Sequence, residues 1–482
     1  SSTSRGLGDV YKRQVLGCSI YKLQAISLIE SIVICLISYI LALFIVNDLS
    51  YTPIANWVDA DIRLSQYKGL ILLTALIAIL TGCLAGLYPA IRSTSYAPAL
   101  VLKGSFGLSP KGKKVRVALI GFQYTVSIAL IIVTLFMGLQ NHFMTSSEQL
   151  GFNKDQVAIV NLTPEIYAKH KPQYIQKLKD YPGIEDVAFS VYELSKEDDM
   201  IDLEYARHED KDVFFKVFYA SENFLSVMDI QVEEGRDFTR EDLNKAQSDY
   251  IINPAAERDF HLHPGDRFND RTVLGVSKDF RFNSCRIASS PFVFALNNDI
   301  PNPKLVSYIR FNSKTNLQEA VAHVRETLKE IDPTFPFEIS FYNTILNNLY
   351  QKEQTLGKLI SLFGIMAILI SIVGVFGLVL FETQYRRKEI GIRKINGATT
   401  GQILLMFNKT YIRIVSVCFI ISIPIAWMGT QQWLENFAYK TPLHLWVFIV
   451  AFLIILSVTI GTVTFRNWQA ANENPVNSVK SE

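Results

Sequence analysis

Two stretches of this 482-residue sequence contain side chains of the types and spacing that metal and phosphate chemistry use. His261 and His263 could donate two imidazole nitrogens to a metal ion, but no third ligand follows at the usual spacing. Residues 107–114 approach the phosphate-binding loop pattern, yet Lys114 stands where that motif places a Ser or Thr to reach magnesium. We therefore expect two solvated histidines, with no metal site, no nucleotide site and no cofactor.

Two pairs of carboxylates could serve acid–base chemistry if a partner positioned them. Asp198–Asp199 and Glu233–Glu234 have no such partner nearby in the sequence, and their region contains no serine-hydrolase or zinc-protease motif. We interpret both pairs as charged, solvated surface. We therefore expect that the chain has no catalytic residue and is not an enzyme.

Residues 386–398 have a composition that suits binding rather than catalysis. Five cations fall within nine residues, directly after the mostly apolar segment 356–381, which is long enough to cross a bilayer as a helix. Such a basic cluster marks the cytoplasmic side of a membrane. Isoleucines and glycines interrupt the charges, which favours docking into a groove on another protein. The alternative is a basic cluster that sets topology and contacts anionic lipid.

Six apolar segments could position these residues, and the mean hydropathy of +0.20 agrees with several membrane spans. In the second segment, Gly82 and Gly86 form a G-x-x-x-G pair that permits close helix contact. Trp433, Phe437 and Tyr439 predict an aromatic belt at the outer interface. The predicted spans are 25–46, 69–88, 117–139, 356–381, 412–428 and 445–465.

The polar region 141–355 alternates short apolar runs with turns. The fold class we predict is an α-helical polytopic membrane protein with an inserted α+β domain. This region is acidic and the rest of the chain is basic, which favours an extracytoplasmic domain joined to membrane helices. Nucleic acid is not expected as a partner, because the cations lie at helix ends. We predict strands at 156–161, 187–191, 213–219, 250–252, 272–276 and 305–311, and helices at 171–179 and 317–331.

The segment 387–398 resembles the signature R-x-E-I-G-I-R-K-x-x-G-A of FtsX-like ABC permeases, the group that includes MacB. The resemblance implies a short coupling helix that packs on a cytoplasmic ATPase subunit. It also implies that Gly397 and Ala398 permit the turn into the next span. The residues expected to contact the ATPase are Arg387, Lys388, Glu389, Ile390, Gly391, Ile392, Arg393 and Lys394.

Two motifs in the polar region resemble marks of the MacB-like periplasmic core domain. They are Glu-Gly-Arg-Asp-Phe at 234–238 and Gly-Val-Ser-Lys-Asp-Phe at 275–280. The implied parts are a transmembrane helix (117–140), the periplasmic core domain (141–355) and a C-terminal FtsX-like permease domain of three helices (356–482) with a coupling segment (384–409).

The two ends of the chain are related in pattern. Leu-Gly-Cys-Ser at 16–19 is similar to Asn-Gly-Ala-Thr at 396–399, and a span, a short loop and a second span follow each. This indicates a duplicated membrane unit. The resemblance implies a duplicated permease of the type found in Bacteroidetes-like bacteria, truncated at its N-terminus. The expected parts are an atypical or artefactual start (1–14), the last two transmembrane helices of a first unit (15–103) and a cytoplasmic linker (104–116).

The resemblance implies the permease subunit of an ABC transporter in a bacterial inner membrane, with a large periplasmic domain. Its implied partners are a cytoplasmic ABC ATPase dimer, membrane lipids, and a periplasmic adaptor or outer-membrane component. The expected mechanism is mechanotransmission, in which ATP hydrolysis by the separate subunit moves the periplasmic domain for export or for lipoprotein, peptide or drug handling. The alternative is a regulator like FtsX itself, which acts on periplasmic cell-wall hydrolases and moves no cargo.

Overall fold

The structure is a computed structural model. It describes residues 18–52, 66–94, 110–146, 150–195, 202–209, 211–245, 247–281, 283–296 and 305–471. Three predicted features lie outside these residues: the start at 1–14, the first part of the linker at 104–109, and the pair Asp198–Asp199.

Three long helices come first, and the first two of them pack closely. A Cβ atom added to Gly82 would lie 2.8 Å from the Ile32 Cα, and one added to Gly86 would lie 2.8 Å from the Ser31 Cβ. The close contact predicted from the G-x-x-x-G pair is therefore confirmed. The third helix begins earlier than the predicted span, so residues 110–116 of the predicted linker are helical. The helices are α1 (Ile20–Leu49), α2 (Lys68–Thr94) and α3 (Pro110–Thr145).

The middle of the chain forms a mixed eleven-stranded sheet, which confirms the predicted α+β class. The strands are β1 (Val157–Leu162), β2 (Ile184–Ser190), β3 (Asp202–His208), β4 (Lys211–Ala220), β5 (Val232–Gly235), β6 (Tyr250–Ile252), β7 (Arg267–Phe268), β8 (Arg271–Ser277), β9 (Phe292–Leu296), β10 (Leu305–Phe311) and β11 (Ile339–Phe341). Their order is β11-β1-β10-β2-β4-β9-β6-β8-β5, with β3 on β4 and β7 on β8. Only β4–β9 and β6–β8 pair in parallel among the described residues.

Among the described residues, five α-helices belong to this α/β domain. The predicted helices at 171–179 and 317–331 are confirmed with the same bounds. The second of them buries Ala320, Val324 and Leu328 against the sheet core, the spacing expected of an amphipathic helix. The helices are α4 (Lys171–Lys179), α5 (Phe224–Met228), α6 (Pro254–Phe260), α7 (Leu317–Ile331) and α8 (Tyr342–Leu349).

The two glycine motifs of the domain meet in the β5–β8 strand pair, where Gly235 lies opposite Gly275. Gly235 has a φ of +79°, and a Cβ on it would lie 2.2 Å from the Leu274 carbonyl oxygen. A Cβ on Gly275 would lie 2.7 Å from the carbonyl oxygen of Glu234. Both positions therefore require glycine, and these motifs serve strand packing.

Arg236, from the first motif, forms a two-pronged ion pair with the buried carboxylate of Asp242. The Nη1–Oδ2 and Nη2–Oδ1 distances are 2.7 and 2.9 Å. The backbone N–H of Thr239 donates to the same carboxylate at 2.9 Å. The guanidinium of Arg236 holds the pKa of Asp242 far below its usual range, although burial opposes the shift.

We expect Asp242→Asn to destabilise the α/β domain by about 2–4 kcal/mol at pH 7, because it removes the charged acceptor from Arg236 and Thr239. The carboxyl pKa is lower in the folded than in the unfolded state, so its contribution is full above about pH 5 and declines as the pH falls. Thermal melting of the full chain in detergent, followed by circular dichroism, should show a difference between wild type and variant that shrinks toward pH 3. An equal difference at both pH values would contradict the assignment.

Four helices follow the α/β domain. The fifth membrane helix begins at Thr400 rather than at the predicted 412, because Thr399 and Gln402 form a capping box. The Thr399 N–H donates to the Gln402 Oε1 at 3.1 Å, and the Gln402 N–H donates to the Thr399 Oγ1 at 3.3 Å. The second half of the predicted coupling segment therefore belongs to this helix. The helices are α9 (Gln351–Tyr385), α10 (Arg387–Ile395), α11 (Thr400–Leu434) and α12 (Leu445–Ala471).

Six helices of the described chain are long and apolar enough to cross a membrane, as predicted: α1, α2, α3, α9, α11 and α12. The chain divides into two compact units. The membrane-helix unit contains 1–132, 358–425 and 446–482, and the α/β unit contains 133–357 and 426–445.

Candidate functional site

The predicted coupling segment contains a separate short helix, α10. Arg386 leaves the helical conformation (φ −91°, ψ 13°) and separates α10 from α9. At the other end, the Gly397 N–H donates to the Lys394 carbonyl at 3.0 Å and the Ala398 N–H donates to the Arg393 carbonyl at 2.9 Å. With Gly397 at a φ of +88°, these two bonds form a Schellman motif, which ends the helix and turns the chain toward α11.

The α10 side chains divide into a buried and an exposed set. Ile390 is 5% exposed, and Gly391 is also buried. Ile392 and Ile395, three residues apart on one helix face, are 56% and 66% exposed. Two predicted contact residues therefore hold α10 in place, while the exposed isoleucines offer an apolar surface.

Acidic and basic side chains tie α10 to α9 through Arg386. The guanidinium of Arg386 lies 3.2 Å from the Glu382 carboxylate and 3.8 Å from that of Glu389. Arg393 pairs with Glu389 at 2.8 Å. The Arg386 guanidinium also lies over the ring of Phe407, 5.9 Å from its centroid. Glu389 is therefore engaged within the chain, and the unpaired surface of α10 is apolar and basic.

Buried polar side chains join the membrane helices near α10. The Thr383 hydroxyl donates to the Asn467 Oδ1 at 2.8 Å, and the Asn408 Nδ2 donates to the Thr464 Oγ1 at 2.9 Å. The Tyr411 hydroxyl donates to the Glu382 carboxylate at 3.3 Å. Such bonds fix the register of packed apolar helices, so α9, α11 and α12 form a defined support for α10.

Sequence reasoning omitted two residues of this region from the predicted contacts. Arg386 is the residue that holds α10 to α9. The sequence indicates this role, because acidic and basic residues alternate at intervals of three or four at Glu382, Arg386, Glu389 and Arg393. Ile395 is the most exposed isoleucine of α10. Its signal was its place three residues after Ile392.

A second candidate surface lies within the α/β unit, where the loop 283–291 meets the first turn of α9. The Arg286 Nε donates to the Glu353 Oε1 at 2.7 Å, and the Glu353 side chain is only 8% exposed. The Cys285 N–H donates to the Tyr350 hydroxyl oxygen at 3.1 Å. Burial raises the pKa of Tyr350, so this hydroxyl stays protonated and donates to the Cys285 sulfur at 3.3 Å.

The same loop also holds the segment between α11 and α12. The Tyr439 N–H donates to the Cys285 carbonyl at 3.0 Å, and the Ser289 N–H donates to the Tyr439 hydroxyl oxygen at 3.1 Å. The Gln140 side chain of α3 donates to the Tyr439 carbonyl at 3.0 Å and accepts from the Thr441 N–H at 2.8 Å. The loop therefore contacts the start of α9 and the segment after α11, and that segment is in turn bonded to α3.

We call this arrangement the collar. Phe437 is 3% exposed and packs with Met144, Cys285 and Tyr350. The guanidinium of Arg286 lies over the ring of Phe437, 5.0 Å from its centroid. Phe437, which was predicted to belong to an aromatic belt at the outer interface, is therefore buried within the α/β unit. The collar consists of Gln140, Met144, Cys285, Arg286, Ser289, Tyr350, Glu353, Phe437, Tyr439 and Thr441.

The region around α10 matches a known family. Residues 361–475 fit the family described as FtsX-like permease C-terminal, which covers most of α9 and all of α10, α11 and α12. This part of the chain is an FtsX-like permease domain. The family assignment predicted from the 387–398 signature is therefore confirmed.

Curated relatives of the permease are named macrolide export ATP-binding/permease protein MacB. The relative from Aggregatibacter actinomycetemcomitans is 25% identical over 212 residues, which cover 41% of this chain and 32% of the relative. The relative from Neisseria gonorrhoeae is 25% identical over 223 residues, which cover 43% of this chain and 34% of the relative. The permease chain thus spans about a third of the length of these relatives.

Two solved structures that are similar to part of the chain are titled as extracytoplasmic domains. The periplasmic region of MacB from Actinobacillus actinomycetemcomitans aligns with a TM-score of 0.31 and 15% identity, over 41% of this chain and 94% of that one. The extracellular domain of the noncanonic ABC-type transporter YknZ from Gram-positive bacteria aligns with a TM-score of 0.29 and 17% identity, over 38% of this chain and 99% of that one.

Proposed function

We propose that the chain is an ABC permease subunit that carries motion from a separate cytoplasmic ATPase to its α/β domain, which lies in the periplasm. The observation that supports this most is the continuity of α9. It is one helix of 35 residues, roughly 50 Å long, that begins next to Tyr350 of the collar and ends next to Arg386. A stiff helix with a specific contact at each end can transmit a two-state movement.

In this proposal α10 is the surface that meets the ATPase. Ile392 and Ile395 supply the apolar contact, and Arg393 and Lys394 add charge beside it. Arg387 and Lys388 are further cations in the sequence of this helix. Ile390 and Gly391 hold α10 on its support rather than contact the partner, and Gly397 with Ala398 sets the turn into α11. This arrangement resembles an amphipathic helix laid in a groove.

The collar is the part that receives the motion. Its hydrogen bonds and ion pair join α9 and the segment between α11 and α12 to one loop of the sheet domain, and they join α3 to that segment. Because a well-packed contact of this kind has few alternative arrangements, a shift of one helix end has to move the loop. In this proposal the ATP hydrolysis belongs to the partner.

The test is capture of the ATPase by the full chain purified from its native membranes. We expect Ile392→Glu combined with Ile395→Glu to reduce the co-purified ATPase about tenfold or more, because two charges would enter an apolar contact. Leu203→Glu is the matched control, since Leu203 is 66% exposed on the α/β domain. Equal capture by wild type and the α10 variant would contradict the docking surface, as would loss of capture in the control.

A further inference from the structure

Three potential metal ligands, none of them a collar residue, come together on the α/β domain. They are Glu234 of β5, Glu257 of α6 and His263 in the loop that follows α6. Their donor atoms all lie within 4.8 Å of one another. The His263 Nδ1 lies 3.6 Å from the Glu257 Oε1.

The backbone at His263 is fixed by a tight turn. The Asp266 N–H donates to the His263 carbonyl at 3.0 Å, and the His263 N–H donates to the Asp266 carboxylate at 2.8 Å. Pro264 and Gly265, with a Gly265 φ of +99°, occupy the central positions of a type II turn. The Gly265 N–H donates to the Val273 carbonyl at 2.8 Å, which holds the turn on β8.

The two glutamates are also carried by fixed backbone. Glu234 pairs with Val276 of β8, so it shares its supporting strand with the His263 turn. Glu257 lies in α6, which the Asn253 side chain caps by accepting from the Ala256 N–H at 2.9 Å. The backbone of all three ligand residues is therefore set by the fold, while their side chains can still rotate. Binding requires side-chain rotations that bring the donors to about 2.0–2.2 Å from one ion.

The charges in this group favour a cation. Two carboxylates at this range repel each other unless a positive charge lies between them. Among the described residues, Glu234 forms no ion pair with Lys or Arg. A divalent ion would neutralise both glutamates and use the imidazole as a third ligand.

We propose that Glu234, Glu257 and His263 bind a divalent transition-metal ion, with Zn²⁺ the best match. Imidazole suits zinc, whereas magnesium and calcium prefer sites built from oxygen alone. Three protein ligands leave one position of a tetrahedral ion open to solvent. The sequence predicted two solvated histidines, because the carboxylates that complete the set come from β5 and α6 rather than from a local motif.

The test is a Zn²⁺ titration of the full chain in detergent against a chromophoric chelator. We expect His263→Ala and Glu257→Gln each to remove one bound ion per chain or to weaken its binding about tenfold or more. Co²⁺ bound to the wild type should give the visible absorption of a four-coordinate ion, and both variants should lose it. The affinity should also fall as the pH is lowered, since protons compete for the ligands.

His261→Asn is the matched control, because His261 lies in the same loop outside the ligand set and Asn tolerates its left-handed backbone. This variant should bind Zn²⁺ as the wild type does. The proposal is overturned if the wild type binds no ion, if His263→Ala and Glu257→Gln bind as the wild type does, or if His261→Asn loses binding equally. Circular dichroism of each variant separates ligand loss from loss of fold.

Discussion

Arg286→Met is expected to open the collar and to separate the α/β domain from ATP-driven motion without releasing the ATPase. The change leaves the Glu353 carboxylate, which is 8% exposed, without its cation. The Arg286 side chain is itself 46% exposed, so the unpaired carboxylate costs about 1–3 kcal/mol, which is enough to disrupt a local contact. Methionine keeps an apolar stem against Phe437, so the packing there changes little. The measurement is hydrogen exchange of the Cys285 and Ser289 amides, which should speed up at least about tenfold.

Two further variants decide whether the effect belongs to the ion pair. Arg286→Met combined with Glu353→Gln removes both charges and should restore slow exchange in large part. Arg258→Met is the matched control, because Arg258 pairs with Asp259 on open surface, where the side chains are 71% and 43% exposed. Such a pair contributes little, so exchange in the collar should be unchanged. Unchanged exchange of the Cys285 and Ser289 amides in Arg286→Met would show that the ion pair does not hold the loop.

Arg386→Glu is expected to detach α10 from α9 and to lower the ATP hydrolysis of the complex about tenfold or more. The variant places a third carboxylate beside Glu382 and Glu389, which lie 3.2 and 3.8 Å from the native guanidinium. It also removes the cation from the face of Phe407. Attraction becomes repulsion in a partly buried site, and each 1.4 kcal/mol of lost docking energy is a tenfold loss of affinity. ATP hydrolysis by the purified complex is the measurement.

A double variant that swaps the two charges is the control for this prediction. Glu382→Arg combined with Arg386→Glu restores one attractive pair and should recover part of the hydrolysis. Lys409→Glu reverses an exposed charge on α11 and should leave hydrolysis near the wild-type rate. If Lys409→Glu were as harmful as Arg386→Glu, general membrane charge rather than the Arg386 contacts would explain the loss.

Much of the architecture could be predicted from local pattern. Long apolar runs identified all six membrane helices, and the 3.6-residue spacing of Ala320, Val324 and Leu328 belongs to a helix whose bounds were predicted correctly. The strand β10 was also predicted with its bounds. These elements carry their signal within one window of sequence, so no tertiary information is needed to find them.

The elements that were missed depend on contacts distant in sequence. β9 is buried along its whole length, so it shows no alternation of polar and apolar residues, and periodicity cannot distinguish it from other short apolar runs. In the same way, the sequence around Phe437 is typical of an aromatic belt at a membrane interface, and only the fold brings the loop at Cys285 over its ring. The early start of α11 is an exception, because the capping box of Thr399 and Gln402 is local in sequence but is not part of the apolar pattern.

The candidate site follows the same division. The α10 signature is local, so the position of α10 was predictable. Which isoleucine is buried could not be predicted, because the packing of the neighbouring helices buries Ile390 and leaves Ile392 exposed. The collar joins Gln140, Arg286, Glu353 and Tyr439, which are far apart in the chain, and no local motif links them. Long-range pairs of this kind cannot be derived from a single sequence.

The central claim is that ATP binding by a partner at α10 moves the collar. Hydrogen exchange of the full chain in complex with its co-purified ATPase, with and without ATP, tests it most directly. We predict that ATP changes the exchange of the Cys285, Ser289 and Tyr439 amides, and that the change is absent in Ile392→Glu with Ile395→Glu. Unchanged collar exchange in a wild-type complex that binds and hydrolyses ATP would contradict the claim.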